Sequence, residues 1–163
     1  MRLPPLYGQP VEIRFVRGLR DGRGEVHAGA FLRERCIALD EELRRNPEEL
    51  ARIFVHELFH FVWVRLGNPR RRSWENLLAA ECAAGAAGEL GWSAEWRKRA
   101  LQPRDRAART RRWREYCCES FCDTSAWLYG GLADHAEFTL RVPWRAGRRR
   151  WFTESGVTGG ISI

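Results

Sequence analysis

The sequence predicts an α+β fold, in which a small antiparallel or mixed N-terminal sheet packs on one helix and a largely helical C-terminal half follows. Short segments before residue 40 have the apolar patterns of strands. From Asn46 onward, helix caps and helix stops dominate. The 163 residues are expected to form one domain, residues 1–163, because a chain of this length buries a sufficient core without disulfide bonds.

The predicted sheet comes from the first 40 residues. Residues 11–15 alternate apolar and polar side chains, which is the pattern of a half-buried strand. Residues 19–25 are rich in Asp and Gly and predict a turn or loop. Residues 26–32 and 36–39 are two short apolar segments with three polar residues between them, and they predict a hairpin.

The clearest element is a helix from Pro47 to about Leu66. Asn46 is a suitable N-cap, Pro47 suits the first helical position, and Glu49 stands where the acid of a capping box belongs. The Gly-Asn-Pro sequence at 67–69 supplies the stop.

Further helices are predicted in the middle of the chain. Residues 74–90 form an Ala-rich helix with Ser73 as its cap, and a short helix covers 93–101. A long helix is expected to follow at 103–129, before two glycines.

The C-terminal part predicts a strand and a tail. Residues 135–142 alternate apolar and polar side chains and Pro143 ends the strand. Trp151-Phe152 is expected to pair back on it, and residues 156–163 form a loose tail. The predicted domain therefore has three parts: residues 10–66 with the sheet and first helix, 73–130 with the later helices, and 135–163 with the strand and tail.

Composition limits the classes of function. The net charge is +7, and nine basic residues with a single acid lie between Arg97 and Arg114. Such a run is most often a solvated face, with a polyanion or an acidic protein as the alternative contact. Five cysteines make no disulfide framework, so reduced thiols and a cytoplasmic protein are expected. No apolar run is long enough to span a membrane, so a membrane partner is not expected.

The sequence His56-Glu57-Leu58-Phe59-His60 lies inside the clearest helix. Histidines at i and i+4 share one helical face, so both imidazoles can reach a single metal ion. The carboxylate of Glu57 lies on the adjoining face, where it can hydrogen-bond a metal-bound water.

This motif resembles the active-site helix of the zincin metallopeptidases, and the order strand, hairpin, helix resembles their core. The resemblance implies a zinc-dependent peptidase in which metal-activated water attacks the peptide carbonyl and Glu57 is the general base. It also implies that an extended peptide or protein substrate lies on an edge strand, for which residues 28–31 and 36–39 are the two candidates.

The third zinc ligand distinguishes the zincin classes. No histidine lies six residues beyond His60, so a glutamate is expected, as in gluzincins. Their Glu-x-x-x-Asp pattern is matched by Glu119 and Asp123, and the run from Glu119 also resembles small peptidases of the ImmA/IrrE type. Glu119 is then the ligand, and Asp123 orients a ligand histidine. Glu81 and Glu115 remain alternative ligands.

Other roles are less constrained. His135 and Tyr129 are the candidates for stabilising the oxyanion, with Tyr116 as a further one. Cys118 and Cys122 stand at i and i+4 and could bind a metal, but without a Cys-x-x-Cys pair they are interpreted as small buried side chains. The alternative function is a non-catalytic, metal-containing protein whose Arg-rich helix binds nucleic acid or an acidic partner. The oligomeric state is not predicted.

Overall fold

A computed structural model describes residues 3–21 and 24–163 of the chain and has an α+β fold, as the sequence predicts. The strands are β1 (Leu6–Tyr7), β2 (Glu12–Val16), β3 (Arg20–Asp21), β4 (Gly24–Glu25), β5 (Ala28–Phe31), β6 (Cys36–Asp40) and β7 (Ile161–Ser162). The α-helices are α1 (Pro47–Arg65), α2 (Asn68–Ala83), α3 (Trp92–Arg99), α4 (Pro103–Ala107), α5 (Arg111–Tyr129) and α6 (Val142–Glu154). In the described part of the chain, no helix combines the length and apolar character needed to cross a membrane.

The main sheet has three strands in the order β2-β6-β5. Strand β6 is buried along its whole length, because strands flank it on both sides and α1 packs against it. It pairs parallel with β2 and antiparallel with β5, so the predicted hairpin is confirmed and the sheet is mixed. Strand β2 is mostly exposed rather than half-buried, because it is an edge strand.

The segment at 19–25 contains a second, very small hairpin. Strands β3 and β4 pair antiparallel, with Arg20 opposite Glu25. Residues 22 and 23, at the centre of the predicted turn, lie outside the described residues.

Helix α1 begins as predicted. The side chain of Asn46 accepts a hydrogen bond from the Glu49 backbone N–H at 3.2 Å, which satisfies one of the free N–H groups at the helix start. The predicted capping box is wrong, because the backbone N–H of Asn46 donates to the Leu43 carbonyl and not to the side chain of Glu49. The carboxylate of Glu49 instead pairs with Arg52.

Two of the later helix predictions need correction. Helix α2 begins at Asn68 and ends at Ala83, so Ser73 lies inside it, where its hydroxyl accepts a hydrogen bond from the Trp151 indole N–H at 3.0 Å. The segment predicted as one helix at 103–129 is divided into α4 and α5, and Thr110 caps α5.

The predicted strand at 135–142 is wrong. Phe138 and Leu140 are buried, which explains the alternation, but the segment joins no sheet. Instead, the backbone N–H of Leu140 donates to the carbonyl of Glu89, in the loop before α3, at 2.9 Å. Helix α6 follows directly, with Pro143 in its first turn and Trp151 on its buried side.

The C-terminal residues do not form a loose tail. Strand β7 pairs parallel with β1, and Leu6 lies opposite Ile161. Val157, Ile161 and Ile163 are buried in the main core, and β7 packs against α1.

Candidate metal centre

Helix α1 presents two histidines to its neighbour α5. Its rows of apolar side chains are buried against the sheet and α5, which places His56 and His60 one turn apart on the face toward α5. Their ring centroids are 5.1 Å apart. His56, Glu57 and His60 each offer a ligand atom, and these three atoms lie within 4.8 Å of one another.

Helix α5 brings Glu119 to the two imidazoles. Its Oε2 atom lies 3.3 Å from Nε2 of His56 and 4.0 Å from Nε2 of His60. Nitrogen and oxygen ligands of a tetrahedral zinc lie about 2.0–2.1 Å from the metal, and therefore about 3.3 Å from one another. The distance from Glu119 to His56 matches this separation, and the distance from Glu119 to His60 is longer.

Asp123 contacts the ring nitrogen of His56 that does not face Glu119. The Nδ1 of His56 lies 2.7 Å from Oδ1 of Asp123, and the backbone N–H of Ala94 donates to Oδ2 at 2.9 Å. Because Nδ1 is engaged by Asp123, the other ring nitrogen, Nε2, is the one that faces Glu119 and can ligate a metal. This contact has the form of the carboxylate–histidine pair that orients a metal ligand.

The charges at the centre favour a cation. Burial opposes a charged imidazole, but Asp123 and Glu119 outweigh it and raise the pKa of His56 well above its usual value. At His60 burial is likewise outweighed, by Cys118 and Glu119, and the pKa rises to about 9. Burial raises the pKa of Glu119, but the two histidines prevail and lower it to about 2. The carboxylates therefore stabilise positive charge at this place.

Two contacts at the centre have no counterpart in the sequence analysis. The guanidinium of Arg97 on α3 lies 3.1 Å from Oε1 of Glu119, which leaves Oε2 for the imidazoles. The Sγ of Cys118 lies 3.5 Å from Nδ1 of His60. Because Cys118 directly precedes Glu119, the sequence could have predicted that its thiol lies near the centre. The contact of Arg97 could not be predicted, because it depends on the packing of α3 against α5.

The alternative ligands lie elsewhere. Glu81 is buried in an ion pair with Arg148, whose Nη2 lies 2.7 Å from Oε2 of Glu81. Arg148 also binds Glu89 at 2.6 Å and is completely buried. Glu115 pairs with Arg111 at the surface. Neither Glu81 nor Glu115 contacts the imidazoles of α1.

Helix α5 connects the centre with the buried ion pairs. Ser120 donates a hydrogen bond to Glu89 at 3.2 Å, and the hydroxyl of Thr124 accepts one from Arg148 at 3.3 Å. Glu119 and Asp123, each one residue earlier, lie toward α1. The same two turns of helix therefore serve both groups of residues.

The candidates for oxyanion stabilisation are not brought to the centre. The Nε2 of His135 lies 3.3 Å from Glu49, near the start of α1. The ring of Tyr129 stacks on Phe59, and its buried hydroxyl has no hydrogen-bond partner among the described residues. Tyr116 donates its hydroxyl proton to Glu89 at 2.6 Å.

Comparisons with protein-family models, with curated proteins and with solved structures each find no match to this chain.

Proposed function

We propose that the protein is a zinc-dependent peptidase with a zincin-like, gluzincin-type centre. The observation that supports the proposal best is the convergence of the Nε2 atoms of His56 and His60 on one carboxylate oxygen of Glu119, within 4.0 Å. The two histidines come from one helix and the glutamate from another, so tertiary packing, and not the motif alone, creates this donor set. Two imidazoles and a carboxylate leave one position of a tetrahedral zinc open, as catalytic sites require.

The chain's own residues have distinct tasks in this proposal. His56, His60 and Glu119 would hold Zn²⁺, which would supply the positive charge that lowers the pKa of water and polarises a carbonyl. Glu57 is half-buried, and its side chain has no hydrogen bond or ion pair in the described parts of the chain. Its free carboxylate accepts a proton from the attacking water and returns it to the amine nitrogen of the leaving peptide.

The sheet offers a place for an extended substrate. Strand β6 is paired on both sides, so of the two candidate segments only β5 has a free edge. Strand β5 also packs against α1. A peptide that pairs with β5 by backbone hydrogen bonds would therefore lie alongside the helix that carries His56 and His60.

The alternative, a basic protein that binds nucleic acid or an acidic partner, is less well supported. The basic run is divided over α3, α4 and α5 instead of forming one Arg-rich helix. Ion pairs within the chain also neutralise much of it: the basic residues with a carboxylate partner are Arg97, Lys98, Arg99, Arg109 and Arg111.

Substitution of Glu57 by Gln tests the proposal, because Glu57 is a base and not a ligand. Zinc-loaded wild-type protein and Glu57→Gln are incubated with a broad peptide library, and new termini are identified by mass spectrometry. The variant should keep its zinc while hydrolysis falls by about 10²–10⁴-fold, the usual contribution of a general base. Glu115→Gln, which alters a surface carboxylate on α5, is the matched control and should behave as the wild type.

Two results contradict the proposal. One is the absence of cleavage by zinc-loaded wild-type protein across the library. The other is wild-type hydrolysis by Glu57→Gln, which would remove the general base from the mechanism.

A further inference from the structure

Next to the proposed catalytic centre lies a second group of potential ligands. His60, Cys118 and Cys122 each offer one ligand atom, and these atoms lie within 4.8 Å of one another. Cys118 and Cys122 are four residues apart on α5, so both thiols lie on the same side of the helix. Both cysteines are free of disulfide bonds.

The two nitrogens of His60 face different groups. Nε2 lies 4.0 Å from Glu119, whereas Nδ1 lies 3.5 Å from the Sγ of Cys118. Sulfur and nitrogen ligands lie about 2.3 Å and about 2.0 Å from a tetrahedral zinc, so they are about 3.5 Å from one another. The observed separation of Sγ and Nδ1 matches this value.

We propose that Cys118, Cys122 and Nδ1 of His60 form a second cation site, for a thiophilic ion such as Cu(I) or Zn²⁺. Two thiolates and an imidazole are the ligands that such ions prefer, while oxygen ligands suit harder cations. Binding displaces the protons of both thiols and of Nδ1. The imidazole of His60 then ligates one ion through each nitrogen, so the chain holds two ions and not one.

This site does not depend on peptide hydrolysis. It shares His60 with the proposed catalytic centre but none of His56, Glu57 or Glu119. A substitution of His56 therefore removes a ligand of the first centre only, and a substitution of Cys118 removes a ligand of the second only. The two proposals can fail separately.

Cobalt is a suitable probe, because Co²⁺ occupies zinc sites and gives a near-ultraviolet charge-transfer band when it binds thiolate. Metal-free protein is kept reduced with a phosphine and titrated with Co²⁺. The wild type should bind two equivalents and develop the band. Cys118→Ser should bind one equivalent without the band, and His56→Ala should retain the band. Cys82→Ser, which changes a half-buried thiol on α2, is the matched control and should equal the wild type.

Cys118 carries the test because it is half-buried, whereas Cys122 is fully buried and its substitution also affects the core. Circular dichroism checks the fold of Cys118→Ser, and Cys118→Ala repeats the measurement. Wild-type protein that binds cobalt without the thiolate band overturns the proposal. A band that persists undiminished in both Cys118 variants does so as well, because it then arises from other thiols.

Discussion

Substitution of Asp123 by Asn tests how the centre is held together. The carboxylate of Asp123 lies 2.7 Å from Nδ1 of His56 and accepts the N–H of Ala94 at 2.9 Å. An asparagine has one acceptor oxygen and an NH2 group that only donates, so it can accept a hydrogen bond from only one of these two N–H groups. It also lacks the negative charge that favours a proton on Nδ1. Either His56 loses its hydrogen-bond partner, or residue 123 loses the hydrogen bond from Ala94 on α3 that holds it in place.

The expected loss is measurable. Removal of a group that orients a ligand histidine typically weakens metal binding by about 10–100-fold, or about 1.4–2.8 kcal/mol. At free zinc about 1,000 times the wild-type Kd, zinc stabilises the wild type by about 4.1 kcal/mol, and Asp123→Asn by only about 1.4–2.7 kcal/mol. Separately, an unpaired buried donor should destabilise the metal-free fold by about 1–3 kcal/mol.

Competition with a chromophoric zinc chelator measures the affinity, and urea unfolding with and without zinc measures the stabilisation. Glu115→Gln removes a surface carboxylate from the same helix and serves as the control. Zinc affinity of Asp123→Asn within about twofold of the wild type would refute the orienting role, because the known range for such groups begins at about tenfold.

Two further predictions follow from other contacts. A methyl group at Gly91 would overlap the carboxylate of Asp123, so Gly91→Ala should weaken zinc binding without altering any charge. The chelator competition measures this affinity. An unchanged zinc affinity would contradict the prediction, because the carboxylate could then move away without effect. Burial opposes the charge of Glu89, but Arg148 outweighs it and lowers the pKa of Glu89 from 4.5 to about 2. The contribution of this ion pair to the free energy of unfolding is therefore complete above about pH 4.5 and is lost as the pH falls toward 2. The free energy of unfolding, measured with urea, should fall more steeply at low pH for the wild type than for Glu89→Gln. Equal slopes of this free energy against pH would contradict the prediction.

The parts of the fold that the sequence predicted correctly depend on local signals. Helix α1 follows from the cap at Asn46 and the glycine at 67, and the hairpin of β5 and β6 follows from two short apolar segments around a polar turn. The strand prediction at 135–142 failed because alternation reports which side chains are buried. It does not report whether a partner strand is present, and Phe138 and Leu140 are buried in a loop against Leu90.

The same distinction applies to the candidate site. The spacing of His56 and His60, and that of Glu119 and Asp123, follow from the helical repeat and are visible in the sequence. The sequence does not show which of Glu119 and Glu81 lies near the histidines. That depends on Arg148, which lies 67 residues after Glu81 and binds its carboxylate. The contact of Arg97 with Glu119 also arises only from tertiary packing.

Helix α5 has a consequence for how the chain tolerates insertions and deletions. Its residues serve three groups of neighbours in rotation: Glu119 and Asp123 meet α1, Ser120 and Thr124 meet the buried ion pairs, and Phe121 meets the aromatic core. One added or removed residue turns every later position by about 100° and breaks all three sets of contacts together. Single substitutions can therefore alter one set at a time, while changes in length should be confined to exposed turns such as 32–34, between β5 and β6.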